Sequence, residues 1–243
     1  MIYRFVILLS VASALVIAGA FTLLKGIHKK NEDIFNKKNI LASVEKVIKQ
    51  DYEKSVAELS STEVEDIFEK NITQFVIDAA GEDLTESAGV AASEVDMARE
   101  RKLATPERKW PLFVYQANTG KKYYILSVRG NGLWDEIWGN ISLEEDFNII
   151  AGAVFDHKGE TPGLGAEIKD NAGFSQQFEG KRIYNENGQY VSVTVQKGGA
   201  RDAYKDYEVD GISGATVTAD GVTDMLYEGI RQYEPFFDKL RNK

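Results

Sequence analysis

The chain lacks cysteine altogether and has only two histidines, His28 and His157, in 243 residues. Without thiols there is no disulfide, no thiolate zinc site, no iron–sulfur cluster and no cysteine nucleophile. The redox compartment stays open, because a thiol-free protein is at home on either side of a membrane. Two histidines are too few for a dedicated histidine metal site. No Walker A lysine pattern occurs, and "GNGLWD" and "GLGAEI" each lack the third glycine of G-x-G-x-x-G, which excludes nicotinamide binding by that route. No basic stripe stands out, and a formal charge of −9 argues against nucleic acid as a partner. No internal repeat or low-complexity tract appears.

The acidity is uneven. Residues 51–100 hold 14 acids against 3 bases, so that segment carries −11 and the remainder of the chain about +2. Two readings fit: the solvated face of exposed helices, or a docking surface for a cationic partner.

A long apolar run is present. Phe5 to Leu24, "FVILLSVASALVIAGAFTLL", holds 20 residues without a charge, enough at about 1.5 Å per residue to cross a hydrocarbon layer of about 30 Å once. Ala18-Gly19-Ala20 looks like a signal-peptide cleavage site, but the run exceeds the usual h-region of about 7–15 residues. A retained anchor over 1–26 is therefore expected. Lysines are denser after the span (Lys25, Lys29, Lys30, Lys37, Lys38) than basic groups before it (Arg4), which by the positive-inside rule places the body in the cytoplasm.

Residues 27–105 read as a helical stalk and the helical first part of the soluble region. Ile40, Leu41, Val44, Val47 and Ile48 fall at helical spacing. In "STEVEDIFEKNITQFV", Thr62 and Glu65 have capping-box spacing, and Val64, Ile67, Phe68, Ile72 and Phe75 follow one helical stripe. Gly81 to Thr105 is polar and poorly patterned, a loop with short helix. Residues 106–243 change to strand grammar: "WPLFVYQA", "KKYYILSV", "FNIIAGAVF" and "QYVSVTVQ" are β-branched and aromatic, with turn signals between them, Asn187-Gly188 among them. Ala166 to Phe178 has room for a helix. A final helix is marked by Val222, Met225, Leu226, Ile230 and Tyr233. The soluble part thus reads as one α+β domain, a mostly antiparallel sheet with packed helices behind a single N-terminal transmembrane helix.

Three glycine clusters carry the candidate chemistry. "DGISGATVTADGV" (Asp210 to Val222) precedes the final helix, whose first N–H groups lack helical acceptors and carry the positive end of its dipole. Gly211 and Gly214 let the backbone turn sharply there, and the hydroxyls of Ser213, Thr216 and Thr218 belong either to a phosphate seat or to a plain helix cap in which they satisfy the backbone. "GETPGLGAEI" (Gly159 to Ile168) allows a type II turn at Pro162-Gly163, leaving Leu164 as an apolar tip free to pack on a flat ring, or the segment is an ordinary connector. "GNGLWDEIWG" (Gly130 to Gly139) carries Trp134 and Trp138, which read as sheet-edge or core aromatics.

Asp210, Ser213, Gly214, Ala215 and Thr216 match D-x-x-[S/T]-G-A-T, and the chain resembles the FMN-binding domain family. With all three clusters in order, it is similar over its whole length to the C subunits of sodium-translocating NADH:quinone reductases. The G subunits of Rnf electron-transport complexes share the threonine motif; "GNGLWDEIWG" favours the quinone-reductase group. The resemblance implies FMN held covalently on Thr216 through a phosphoester, installed by a flavin transferase. It also implies an electron relay from a membrane-embedded iron–sulfur site to the flavin of another subunit of the complex. Asp210 then orients the loop or assists the transferase, and Thr161, Leu164 and Gly165 line the flavin. The implied location is the periplasmic side of a bacterial inner membrane, against the lysine count. No carboxylate lies in the span, so sodium passage is expected in partner subunits. The reading from another class is a flavin-free, membrane-anchored scaffolding domain whose glycine loops only shape the fold.

Overall fold

The structure, a computed structural model, describes residues 2–241. A single helix, α1 (Ile2–Ala42), runs from the apolar span into the soluble body without a break. At about 1.5 Å per residue it is roughly 60 Å long, twice the hydrocarbon thickness. Among the described residues it is the one helix long and apolar enough to cross a membrane. Its side chains are exposed as far as Glu32, and then Ile34, Ile40 and Leu41 bury against the domain. Anchor and stalk are thus one rod whose last turns belong to the core.

Two short helices follow, α2 (Glu45–Tyr52) and α3 (Ser61–Asn71). The capping box at α3 is Ser60 with Glu63, not Thr62 with Glu65: the Glu63 N–H donates to Ser60 Oγ at 3.3 Å, and the Ser60 N–H donates to Glu63 Oε2 at 2.8 Å. Both pairs have the required spacing, but only the earlier one has Lys54 at hand, whose ammonium meets Glu63 at 2.5 Å. That ammonium, with the Ser60 N–H and hydroxyl, holds the Glu63 carboxyl down to about 2. The helical stripe also stops earlier than its spacing suggests. Ile72 and Phe75 lie in a strand, β1 (Ile72–Ile77), because the β-branched run Ile72-Thr73 and Val76-Ile77 finds a partner edge. Asn71 marks the change, donating its side-chain amide to the Gln116 carbonyl at 2.9 Å.

After a loop that includes the short α4 (Met97–Glu100), four strands follow: β2 (Trp110–Gln116), β3 (Lys122–Asn131), β4 (Glu136–Leu143) and β5 (Ile150–His157). With β1 they form a five-stranded antiparallel meander in sequence order. The sheet therefore begins at Ile72, upstream of the boundary at 106 expected from composition. Two helical turns, α5 (Glu167–Asp170) and α6 (Ala172–Gln176), occupy the expected helical segment. Of "QYVSVTVQ" only β6 (Thr194–Gln196) is strand, and it pairs in parallel with β7 (Glu208–Asp210). Ser192, at φ 59°, breaks the run before it. Asn187-Gly188 lies in a loop closed by a Tyr184–Tyr190 bridge, longer than a two-residue hairpin turn. The chain ends with α7 (Thr216–Arg231) and α8 (Glu234–Arg241).

Both sheet faces are covered. Leu112, Leu126, Val128 and Ile141 pack beneath Val222, Leu226, Ile230 and Phe237 of α7 and α8. Phe113, Tyr115 and Ile125 pack beneath Leu41, Ile48, Ile67 and Phe68 of α1 to α3. Two-sided burial explains why β2 reads as an unbroken apolar run rather than an alternating one. Tyr233 closes the seam between α7 and the sheet. Its buried hydroxyl lies 2.9 Å from both the Pro111 and the Ser127 carbonyls. Tyr233→Phe removes the donor those carbonyls share, and urea unfolding is expected to show a loss of about 1–3 kcal/mol.

Candidate functional site

The site forms where three loops meet at one end of α7. Ile212 to Ala215 makes a turn, with the Ala215 N–H bonded to the Ile212 carbonyl at 3.1 Å and Gly214 at φ 77°. Thr216 is the first residue of α7 and is half-buried. No side chain caps this helix. The N–H groups of Thr216, Val217 and Thr218 have no acceptor among the described residues. The simple helix-cap reading of the hydroxyls therefore fails: Ser213 is exposed, and the Thr218 hydroxyl turns away to donate to Glu160 Oε2 at 2.6 Å. Three free N–H groups at the positive end of a 16-residue helix make a donor set suited to a phosphate.

The second loop meets the first. Thr161 to Leu164 closes a turn through the Leu164 N–H and the Thr161 carbonyl at 3.1 Å, with Gly163 at φ 75°, the left-handed position a type II turn requires. Leu164 is 41% exposed and rests on the Gly214 backbone, where a Cβ would lie 2.8 Å from its Cδ2. Gly165 is buried against the start of α7, and a Cβ there would lie 2.6 Å from Thr218 Oγ1.

The third loop supplies Trp134, which is neither a sheet-edge nor a core aromatic. It is 68% exposed, and its indole N–H donates to Thr161 Oγ1 at 3.1 Å. Trp138, by contrast, lies on β4 with the Arg129 guanidinium 4.8 Å from its ring centre. Leu133, Trp134, Leu164 and Val217 form an exposed apolar rim, a surface suited to a flat ring system.

Asp210, at the end of β7, accepts from the Ala200 N–H at 2.7 Å, and its own N–H donates to Gln177 Oε1 at 2.7 Å. It therefore braces the loop entering the site. A cavity of about 330 Å³, bordered by Gly163, Asn171, Phe174, Gln177, Gly211 and Ser213, opens beside the Ser213 turn. A larger groove of about 1590 Å³ lies between α1 and the outer sheet face, away from Thr216. Three of its five cations, Lys30, Lys37 and Arg129, are engaged by Glu65, Asp33 and Glu136.

Asp210, Thr161, Leu164, Gly165 and the Ser213 to Thr216 run, separate in the sequence, are thus brought around one helix start. Sequence reasoning misses Glu160 altogether, and it singles out Trp134 and Thr218 without their partners, Thr161 and Glu160. Glu160 and Trp134 sit inside the glycine clusters, but only the tertiary contact shows what their side chains do. Burial raises the Glu160 carboxyl, and hydrogen bonds from Thr218 and the backbone at Trp134, Asp135 and Leu133 outweigh it, leaving it below the ordinary value.

Residues 132–231, which hold most of this site, match the FMN-binding domain family. The chain is 30% identical to the C subunit of the Na(+)-translocating NADH-quinone reductase of Pasteurella multocida, over 97% of this chain and 92% of that protein. It is 37% identical to the Vibrio anguillarum C subunit, over 60% of this chain and 61% of that protein's length. The crystal structure of the Parabacteroides distasonis C subunit superposes with a TM-score of 0.73 at 37% identity, covering 88% of this chain and 96% of that one. The chain belongs to the family of Na(+)-translocating NADH-quinone reductase C subunits, and α1 serves as its single-pass membrane anchor.

Proposed function

We propose that the protein is the covalently flavinylated electron-relay subunit of a sodium-translocating NADH-quinone reductase, with FMN joined through its phosphate to Thr216. The observation that carries this reading is the uncapped start of α7: three unpaired N–H groups beside a half-buried threonine hydroxyl. When bound, FMN supplies the redox chemistry, accepting and releasing electrons. The chain binds and places it. The N–H groups of Thr216 to Thr218 hold the phosphate, Asp210 keeps the approach loop in register, and the Trp134 and Leu164 rim receives the ring. Thr161, which carries the Trp134 indole, and Gly165, which admits the close approach of Thr218, complete the lining.

Covalent attachment makes the bound fraction independent of free FMN, which suits a relay that must not lose its carrier. The electrons come from an iron–sulfur site in the membrane and pass to a flavin of a neighbouring subunit; this chain holds no cysteine for a cluster of its own. A flavin transferase installs the cofactor, and the domain lies on the periplasmic side. The five lysines that follow the span argue the other way by the positive-inside rule, and the family resemblance is what supports this placement.

Mass spectrometry of the peptide spanning residues 210–222, from protein coexpressed with an active flavin transferase, tests the reading. A mass gain of one FMN less one water on Thr216 is expected. An unmodified peptide overturns it.

A further inference from the structure

Beneath the seat lies a charged group that the electron-relay role does not require. Glu160 is 5% exposed, yet its carboxylate touches both other loops of the site. Oε2 accepts from the Thr218 hydroxyl at 2.6 Å, and Oε1 accepts from the Trp134 N–H at 2.9 Å. Its own N–H donates to His157 Nδ1 at 3.1 Å, which pins its backbone to the end of β5. The space around it is fitted to the carboxylate on two sides. A Cβ at Gly132 would lie 2.5 Å from Oε1, and one at Gly165 would strike Oε2. Each of the three glycine clusters thus contributes to one buried carboxylate: Gly132 and Trp134 from the first, Glu160 and Gly165 from the second, Thr218 from the third.

We propose that Glu160 is the positioning residue of the flavin seat, its carboxylate clamping the first turn of α7 to the Trp134 loop and keeping a fixed negative charge beneath the cofactor. A carboxylate takes the Thr218 hydroxyl and leaves the N–H groups of Thr216 to Thr218 for the phosphate, so clamp and ligand do not compete for donors. A buried anion close to the flavin disfavours added negative charge and so holds the reduction potential down. The clamp rests on contacts within this chain; the effect on potential rests on the flavin reading.

The test uses the full chain coexpressed with flavin transferase, as wild type, Glu160→Gln and Glu160→Ala. Glutamine keeps the shape: its carbonyl accepts from Trp134 and its amide donates to the Thr218 oxygen, while the charge is lost. The Glu160→Gln protein is expected to fold and load FMN, with its reduction equilibrium favoured about tenfold, about 30 mV for a two-electron couple. Glu160→Ala is expected to load several-fold less FMN and to exchange the Trp134 amide proton about tenfold faster in flavin-free protein. If alanine prevents folding, Thr218→Val cuts only the tie to α7, and faster exchange in the first turn of that helix is the expected result. A loaded Glu160→Gln with unchanged potential overturns the charge role. Unchanged exchange in Glu160→Ala, or in Thr218→Val where alanine does not fold, overturns the clamp. Wild type without FMN despite active transferase refutes the flavin reading instead, and the exchange measurement still decides the clamp.

Discussion

Thr216→Val is expected to abolish covalent flavin while leaving the fold intact. Valine matches threonine in shape and β-branching, so the change removes little except the hydroxyl oxygen. That oxygen makes no hydrogen bond to the rest of the described chain. Thermal stability should therefore stay within about 0.5 kcal/mol of wild type. Fluorescence of the denatured, gel-separated protein checks for attached flavin, and circular dichroism checks the fold. The uncapped N–H groups remain in the variant, so FMN can still bind reversibly. Dialysis should then strip it, because its occupancy depends on free FMN once the covalent bond is absent. Thr216→Ser, which restores the oxygen, should recover attachment. A valine variant that kept flavin through denaturation would move the attachment site elsewhere, with the Thr218 hydroxyl already committed to Glu160.

The site is partly legible in the sequence, and its missing parts share a cause. A local signal suffices for where α7 starts: two glycines and a hydroxyl run precede an apolar periodicity, while whether the first N–H groups are capped by those hydroxyls is decided only in the fold. A local signal also suffices for the charge-free span and for β2, β3 and β5, whose β-branched and aromatic content agrees with their strand state; β4 is not read from the sequence, its first half lying inside a glycine cluster. Glu160 is different. A glutamate between glycine and threonine looks like a solvated loop residue, and only folding brings Gly132, Gly165 and Thr218 around it. Trp134 misleads for a related reason. Exposure of a large aromatic follows from where its loop ends up, which periodicity does not encode. In α3 and β1 two local rules compete: the stripe through Ile72 and Phe75 is helical in spacing, but the segment has an unpaired sheet edge to join, and tertiary pairing overrides the pattern.

The tightness of this convergence makes Gly221→Ala the second large effect. Gly221 lies in the interior of α7, where replacing glycine by alanine ordinarily stabilises a helix by about 1 kcal/mol. Here the new Cβ would strike the Asn131 carbonyl oxygen and lie 3.4 Å from the Gly132 Cα. Those are backbone atoms at the end of β3 and the start of the Trp134 loop, so no rotamer change can clear them. Overpacking against a fixed backbone costs about 1–3 kcal/mol and occasionally more. A clash with a fixed carbonyl puts the cost at the upper end of that range, and subtracting the propensity gain leaves a net loss of about 2 kcal/mol, or a fall in Tm of roughly 4–8 °C for a chain of this size. Gly26 in α1 is the contrast, since a Cβ there meets nothing within 4 Å. The damage at Gly221 should also reach function. Thr218 lies about one turn earlier on the same helix, and pushing α7 off the Asn131 loop draws it away from Glu160. Thermal unfolding and the flavin content of the Thr216 peptide should therefore fall together in Gly221→Ala. A variant as stable and as fully loaded as wild type would mean that α7 does not need to sit this close to the loop, and that the seat tolerates slack the geometry denies it.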